Sequence, residues 1–203
     1  MEVNKNNRFD AIVVGIGGVG SSTAYYLAKA GHKVLGIERS TIPNKFGSSH
    51  GESRIIRKSY FGSETYTKLI EEAYSLWNEL EKISGKRIID TRGGITIGKA
   101  SDPDFQEGLK TAKLNTIIQR VYNSEEINKE FPLLHLGKDY MGLYEKTAGI
   151  LNPDICVDTY KNEALKTKNA QFLENIEVTK IEKDKITNTY ILQTKKGETY
   201  QSK

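Results

Sequence analysis

The stretch that decides the fold runs from residue 9 to residue 38, "FDAIVVGIGGVGSSTAYYLAKAGHKVLGIE". "FDAIVVG" is a short apolar run ending in glycine, the pattern of a buried parallel strand entered at Phe9 and left at Gly15. A helix is predicted from about Val19 to Ala30 and ends at Gly31, and "KVLGIE" reads as a second apolar strand. Together they form one strand–helix–strand unit of the length a βαβ needs. Its first turn is Gly15-Ile-Gly17-Gly18-Val-Gly20, a G-x-G-x-x-G that follows a strand, opens a helix and is succeeded by Glu38 at the end of the second strand. Gly15 permits the tight turn, Gly17 lets a pyrophosphate approach the backbone, and Gly20 lets helix and strand pack closely. The helix N-terminus, at Gly18 and Val19, offers N–H groups and a positive dipole end to phosphates. Glu38 can accept both hydroxyls of an adenine ribose and would repel a 2′-phosphate, which disfavours NADP. The fingerprint does not choose between NAD and FAD, because both carry the same ADP half.

Beyond the βαβ unit the elements alternate. Leu69, Ala73, Leu76, Leu80 and Ile83 recur at helical spacing, with Glu71, Glu72 and Glu79 on the other faces, so a helix is predicted between a cap at Ser63 and a stop at Gly85. "RIIDTRGGITIG" reads as two short strands around Gly93-Gly94, and "DPDFQEGLKTAKL" as a short helix. "NSEEINKEFP" starts a helix at Ser124 that stops before Pro132. In "LNPDICVDTYKNEALKTK", Asn152 caps a helix, Pro153 takes its first position, and Cys156, Tyr160 and Ala164 form its apolar stripe. Strands follow in "AQFLE", "VTKIEK" and "TYILQT", with a turn at Lys196-Gly197 before "ETYQSK". The fold class is α/β, a Rossmann-like cofactor domain with part of an α+β substrate domain. Lys203 is an odd place for a doubly wound sheet to end.

The 203 residues are 37% hydrophobic and 28% charged, an ordinary globular composition. The net charge of +4 is interleaved along the chain, which gives no footprint for a nucleic acid. A single cysteine excludes an internal disulfide framework and a cysteine-cluster metal site, and a reducing cytoplasmic compartment is the simplest expectation. No apolar run reaches the ~18 residues of a membrane span, and "MEVNKNNR" has no signal-peptide core.

After Glu38 the chain breaks into "RSTIPNKFGSSHGESRIIRKSY", polar and glycine-punctuated, where many NAD dehydrogenases would continue a simple strand–helix alternation. Arg and Lys donors beside a flavin stabilise negative charge on its ring, and an Arg fork suits a carboxylate because it donates two bonds at once. Arg54 and Arg57 point the same way in a helix and diverge in a strand. His50 is a candidate for proton handling near neutral pH. Taken alone, "RIIRK" reads equally as an amphipathic surface strand.

The βαβ with "GIGGVGSSTAYYLAKAGHKVLGIER", then "GSSHGESRIIRKSY", "LWNELEK", "GGITIG" and "GILNPDICVDTY", closely resembles the monomeric sarcosine oxidase and N-methyltryptophan oxidase family, FAD-dependent amine oxidases of the D-amino-acid-oxidase-like superfamily. The resemblance implies FAD as cofactor, O2 as oxidant, and a small secondary amine or N-methyl amino acid as substrate, with an aldehyde, an amine and H2O2 as products. It implies that His50 and Arg54 lie near the flavin ring, that Arg57 pairs with the substrate carboxylate, and that the backbone of Val178 contacts adenine. Arg39, Ser48 and Ser49 join the glycines and Glu38 as cofactor-binding candidates. The implied domains are a cofactor βαβ with its flavin-proximal segment over residues 8–62, the start of a substrate domain over 63–148, and a return to the cofactor domain over 149–203.

Family members are nearly twice this length, and their oxygen-activating lysine, flavin-linking cysteine and second carboxylate-binding lysine have no counterpart here. Cys156 reads as a plain core cysteine. A chain of this extent is expected to lack full activity, with a missing C-terminal half as partner. A non-catalytic nucleotide-binding remnant and an NAD-linked dehydrogenase are the alternative readings.

Overall fold

The computed structural model describes residues 7–60, 64–114 and 117–203. Along the chain run β1 (Arg8–Phe9), β2 (Ala11–Val14), α1 (Gly18–Lys29) and β3 (Val34–Ile37). Next come β4 (Arg54–Ile56), α2 (Glu64–Ser84), β5 (Ile89–Thr91), β6 (Gly94–Lys99), α3 (Pro103–Leu114), β7 (Arg120–Asn123), α4 (Ser124–Glu130), β8 (Tyr140–Glu145) and β9 (Gly149–Leu151). The last segment holds α5 (Pro153–Lys166), β10 (Ala170–Leu173), β11 (Val178–Asp184), β12 (Thr189–Thr194) and β13 (Thr199–Ser202). The chain divides into two compact units, one of Met1–Glu52 with Asn152–Lys203 and one of Ser53–Leu151.

In the first unit β3 is the middle strand of a parallel sheet ordered β10-β3-β2, with Ala11 and Ala170 both in register with Val34. All four β3 residues are buried, as a strand covered on both faces requires. Helices α1 and α5 pack together, and Tyr25, Tyr26 and Tyr160 interlock with ring centroids 4.9–6.2 Å apart. Phe9, Leu35, Ile37, Leu192 and Tyr200 form a shared core with the second sheet, ordered β1-β13-β12-β11. The run from Phe9 to Gly15, expected as one strand, is two. Asp10 accepts from Lys33 N through Oδ2 (2.9 Å) and donates its own N–H to Lys33 O (2.8 Å). That bend sends β1 into the second sheet beside β13, while β2 stays with β3.

The second unit holds two antiparallel three-stranded sheets, β4-β9-β5 and β6-β8-β7. Ile56, Tyr74 and Ile89 form one core, with Ile70, Trp77 and Leu151 packed against it. The buried face of α2 is therefore rotated from the predicted stripe. Of the predicted stripe Leu80 is buried as expected (1% exposed), but Tyr74 and Trp77 turn inward as well, whereas Leu69 is 58% and Ile83 44% exposed. Tyr and Trp bury large areas when they turn inward, so the face that carries them takes the core. The expected cap at Ser63 lies outside the described residues; Gly85 ends the helix with φ +69°. Phe105, Leu109 and Leu143 make the other core, beneath α3. Helix α4 begins with a reciprocal capping box, in which Asn123 Oδ1 accepts from Glu126 N (2.9 Å) and Glu126 Oε2 from Asn123 N (2.9 Å). Because β4 pairs with β9, residues 53–60 lie in this unit rather than with the cofactor segment that precedes them.

Candidate cofactor and substrate sites

In the first unit the glycine turn is built as its spacing requires. Gly15 sits at φ +88° and donates its N–H to Ile37 O (2.8 Å), which ties the turn between β2 and α1 to the end of β3. Gly20 faces that turn so closely that a Cβ there would stand 1.9 Å from Gly15 O. The cap of α1 is Gly17, which has no side chain to serve the first-turn N–H groups, and Ser49 Oγ accepts from Gly18 N (3.0 Å). An open cavity of about 330 Å³ borders residues 15–20, Glu38, Arg39, Ser48 and Ser49. A neighbouring cavity of about 260 Å³ is lined by Gly15, Glu38, Arg39, Ile176, Glu177 and Val178.

Glu38 is only 7% exposed, and both its oxygens are engaged: Oε2 accepts from Ile16 N (2.9 Å) and Oε1 from Ser40 N (3.1 Å). Each carboxylate oxygen has a second lone pair, so the group still has acceptor capacity for a ribose. Its backbone is pinned too, with Glu38 N on Leu173 O (2.9 Å) and Ile176 N on Glu38 O (3.0 Å). These bonds bring Val178 to the same cavity from 140 residues further along the chain, a juxtaposition that residues 9–38 alone do not signal. The N-terminus of helix α1, the glycine cradle and the buried acid make a donor and acceptor set that fits the ADP half of FAD.

One feature of this site had no sequence signal. Lys161 pairs with Glu174, Glu174 Oε2 accepts from Ile42 N (3.2 Å), and Lys161 Nζ donates to Ile42 O (3.4 Å). The lysine holds the Glu174 carboxyl below its usual range, chiefly through that hydrogen bond. The clamp anchors the start of the loop whose far end carries Ser48 and Ser49. Within the loop Asn44 Oδ1 accepts from Phe46 N (3.0 Å) and Gly47 N (3.2 Å). Cys156 is buried on α5, and desolvation pushes its thiol up to about 12, which suits a core cysteine.

In the second unit a cavity of about 330 Å³ is walled by Ile55, Ile95 and Ile150 and carries Arg57, Arg92 and Glu145. Arg57 donates from Nη1 to Thr96 Oγ1 (3.2 Å), and its guanidinium lies 5.1 Å from the Tyr60 ring centroid. Arg54 belongs to β4 and Arg57 follows it, so the strand reading of "RIIRK" holds for residues 54–56. Arg54 is exposed and donates to Ser53 O (2.8 Å). His50, in the first unit, is exposed, with Nδ1 against Gly47 O. Neither lines the three cavities described. The second arginine of the cavity, Arg92, is bonded to Asp90 Oδ2 (2.5 Å); Arg92, Thr96 and Glu145 were not among the sequence candidates. Among the described residues no helix is long and apolar enough to cross a membrane, and no group of three or more His, Cys, Asp or Glu is placed to hold a metal.

A parallel sheet with a glycine-cradled helix N-terminus and an acid at the second strand's end defines a dinucleotide-type cofactor fold. Comparison with known proteins narrows it. Residues 10–202 match the family model of FAD dependent oxidoreductases (DAO), and the chain belongs to that family. FAD is the cofactor of this family. The chain is 36% identical over 146 residues to monomeric sarcosine oxidase of Streptomyces avermitilis, covering 72% of this chain and 38% of the relative. It is 32% identical over 174 residues to N-methyl-L-tryptophan oxidase of Yersinia pestis, covering 86% of this chain and 47% of the relative. The open form of NikD, described as an unusual amino acid oxidase essential for nikkomycin biosynthesis, superposes with a TM-score of 0.85 at 25% identity, over 97% of this chain and 50% of that one. The chain thus spans about half the length, or less, of the relatives it matches.

Proposed function

We propose that this chain carries the cofactor-holding and substrate-carboxylate-binding parts of an oxidase that converts a sarcosine-like secondary amine or N-methyl amino acid, with O2 and water, to an aldehyde, an amine and H2O2. FAD, when bound, supplies the two-electron acceptor. Gly15, Gly17, Gly18, Val19 and Gly20 receive the pyrophosphate at the start of α1, with Ser48 and Ser49 beside it. Glu38 and Arg39 take the adenine ribose, and the backbone of Val178 takes the adenine. Arg57 grips the substrate carboxylate with its planar fork. Arg54 stabilises negative charge as electrons arrive, and His50 handles protons near neutral pH.

The observation that carries this reading is Arg57 in a cavity walled by isoleucines, since an ionic fork among apolar groups selects a small molecule with one carboxylate and a short hydrocarbon body. Membership of an FAD dependent oxidoreductase family and the named sarcosine and N-methyltryptophan oxidases support it. The domains follow the same division of labour: residues 8–52 and the return segment hold the cofactor, and the intervening part binds substrate.

The test is direct. FAD is titrated into the purified protein, followed by flavin absorbance and thermal stability, and peroxide is then measured with sarcosine. Stabilisation by FAD and not by NADH, with peroxide formed from sarcosine, is the expected result. Stabilisation by NADH alone would replace this reading with that of a nicotinamide-linked dehydrogenase.

A further inference from the structure

Glu145, at the end of β8, is 1% exposed, a setting in which an unpartnered carboxylate is costly. Its oxygens accept three hydrogen bonds, from Lys58 N (2.7 Å), Ser59 N (3.0 Å) and Thr147 Oγ1 (2.8 Å). Two of these donors are successive backbone N–H groups directly after Arg57. Only a side chain with two acceptor oxygens can serve both, because an amide would set an NH2 against one of them. Glu145 also lines the cavity that holds Arg57 and Thr96. The guanidinium end of Arg57 is tied to Thr96 Oγ1, and the chain leaving its backbone is tied to Glu145.

We propose that Glu145 is a positioning residue for substrate binding. By holding the N–H groups of Lys58 and Ser59 it fixes the backbone after Arg57 and so aims the guanidinium at a carboxylate in the isoleucine-walled cavity. The inference rests on the reading of Arg57 given above. The Glu145 oxygens are engaged by the N–H groups of Lys58 and Ser59 and the hydroxyl of Thr147.

The test uses the protein loaded with FAD, propionate as a carboxylate probe and propionamide as its neutral counterpart, each titrated by flavin absorbance. Glu145→Gln is expected to weaken propionate binding about tenfold, the equivalent of one buried hydrogen bond lost. FAD affinity and propionamide binding stay unchanged. In an Arg57→Ala background, Glu145→Gln adds nothing further, because its effect passes through Arg57. An unchanged propionate Kd, or the same loss in both backgrounds, overturns the proposal. If Arg57→Ala alone leaves propionate binding intact, the reading of Arg57 fails and this inference falls with it. Should Glu145→Gln not accumulate as folded protein, Thr147→Val removes one donor while keeping both backbone bonds. A weakening of about threefold for propionate only is then expected, and no change at all would likewise reject the role.

Discussion

Alanine in place of glycine inside a helix ordinarily stabilises by roughly 1 kcal/mol. At Gly20, the third residue of α1, the sign should reverse. The new Cβ would stand 1.9 Å from Gly15 O and 3.0 Å from Gly15 C, where a carbon–oxygen contact normally settles near ~3.3 Å. Relief requires helix and turn to part by more than an ångström. The helix is poorly placed to move: Ala24 and Ala28 are fully buried on it, and Tyr25 packs on Tyr160 of α5. The turn is held by the Gly15 N–H bond to Ile37 O. Overpacking of this kind costs about 1–3 kcal/mol, enough to cancel the propensity gain and exceed it. Urea denaturation of Gly20→Ala should therefore give a lower midpoint with an unchanged slope, and FAD titration a weaker affinity, since the displaced turn is the one proposed to cradle the pyrophosphate. Gly18→Ala serves as control. Its Cβ would meet Ser49 Oγ at 3.0 Å, the end of a side chain that can rotate at the cost of its bond to Gly18 N, so any loss of stability should stay within about 1 kcal/mol. A Gly20→Ala protein as stable as the parent would refute the claim that close approach of helix and strand dictates glycine there.

Further perturbations separate the other interactions. In the FAD-loaded protein Arg57→Ala should raise KM far more than it changes FAD binding, and Arg54→Ala should instead slow flavin reduction; steady-state and stopped-flow measurements distinguish the two. The Glu174 carboxyl is held below its ordinary 4.5 by Lys161, so the stability it contributes is present above that value and lost as pH falls through the lowered one. Thermal melts should accordingly show Glu174→Gln less stable than the parent near about pH 6, with the gap closing on acidification below about pH 4.5. Asn123→Ala breaks the reciprocal cap of α4 and should cost about 1 kcal/mol in urea unfolding, without altering FAD affinity.

The βαβ unit was legible because its signals are local. Apolar runs of strand length, glycines at fixed offsets and a helix stop at Gly31 are all set by neighbours within a turn or two. Helix α5 was legible for the same reason: Asn152 Oδ1 does accept from Ile155 N (3.0 Å), and Cys156, Tyr160 and Ala164 are buried as their spacing indicates. Where periodicity alone was used, orientation slipped. On α2 several apolar stripes are compatible with the sequence, and only the partners Ile56, Ile89 and Leu151 select the one through Tyr74 and Trp77. The break at Asp10 depends on a hydrogen-bonded partner, Lys33, that lies across a helix in the chain.

The sites divide along the same line. By itself the sequence determined the class of fold, the glycine cradle and the acid at the end of β3, because each follows from residue type and short-range spacing. Tertiary structure alone decided that Val178 joins the cavity of Glu38, that Lys161 and Glu174 tether Ile42, and that Glu145 holds the backbone after Arg57. These contacts span 86 to 140 residues of chain. A buried carboxylate has no preferred partner until the chain closes and leaves particular N–H groups without water, so nothing around Glu145 in the sequence could announce Lys58 and Ser59 as the donors it would meet.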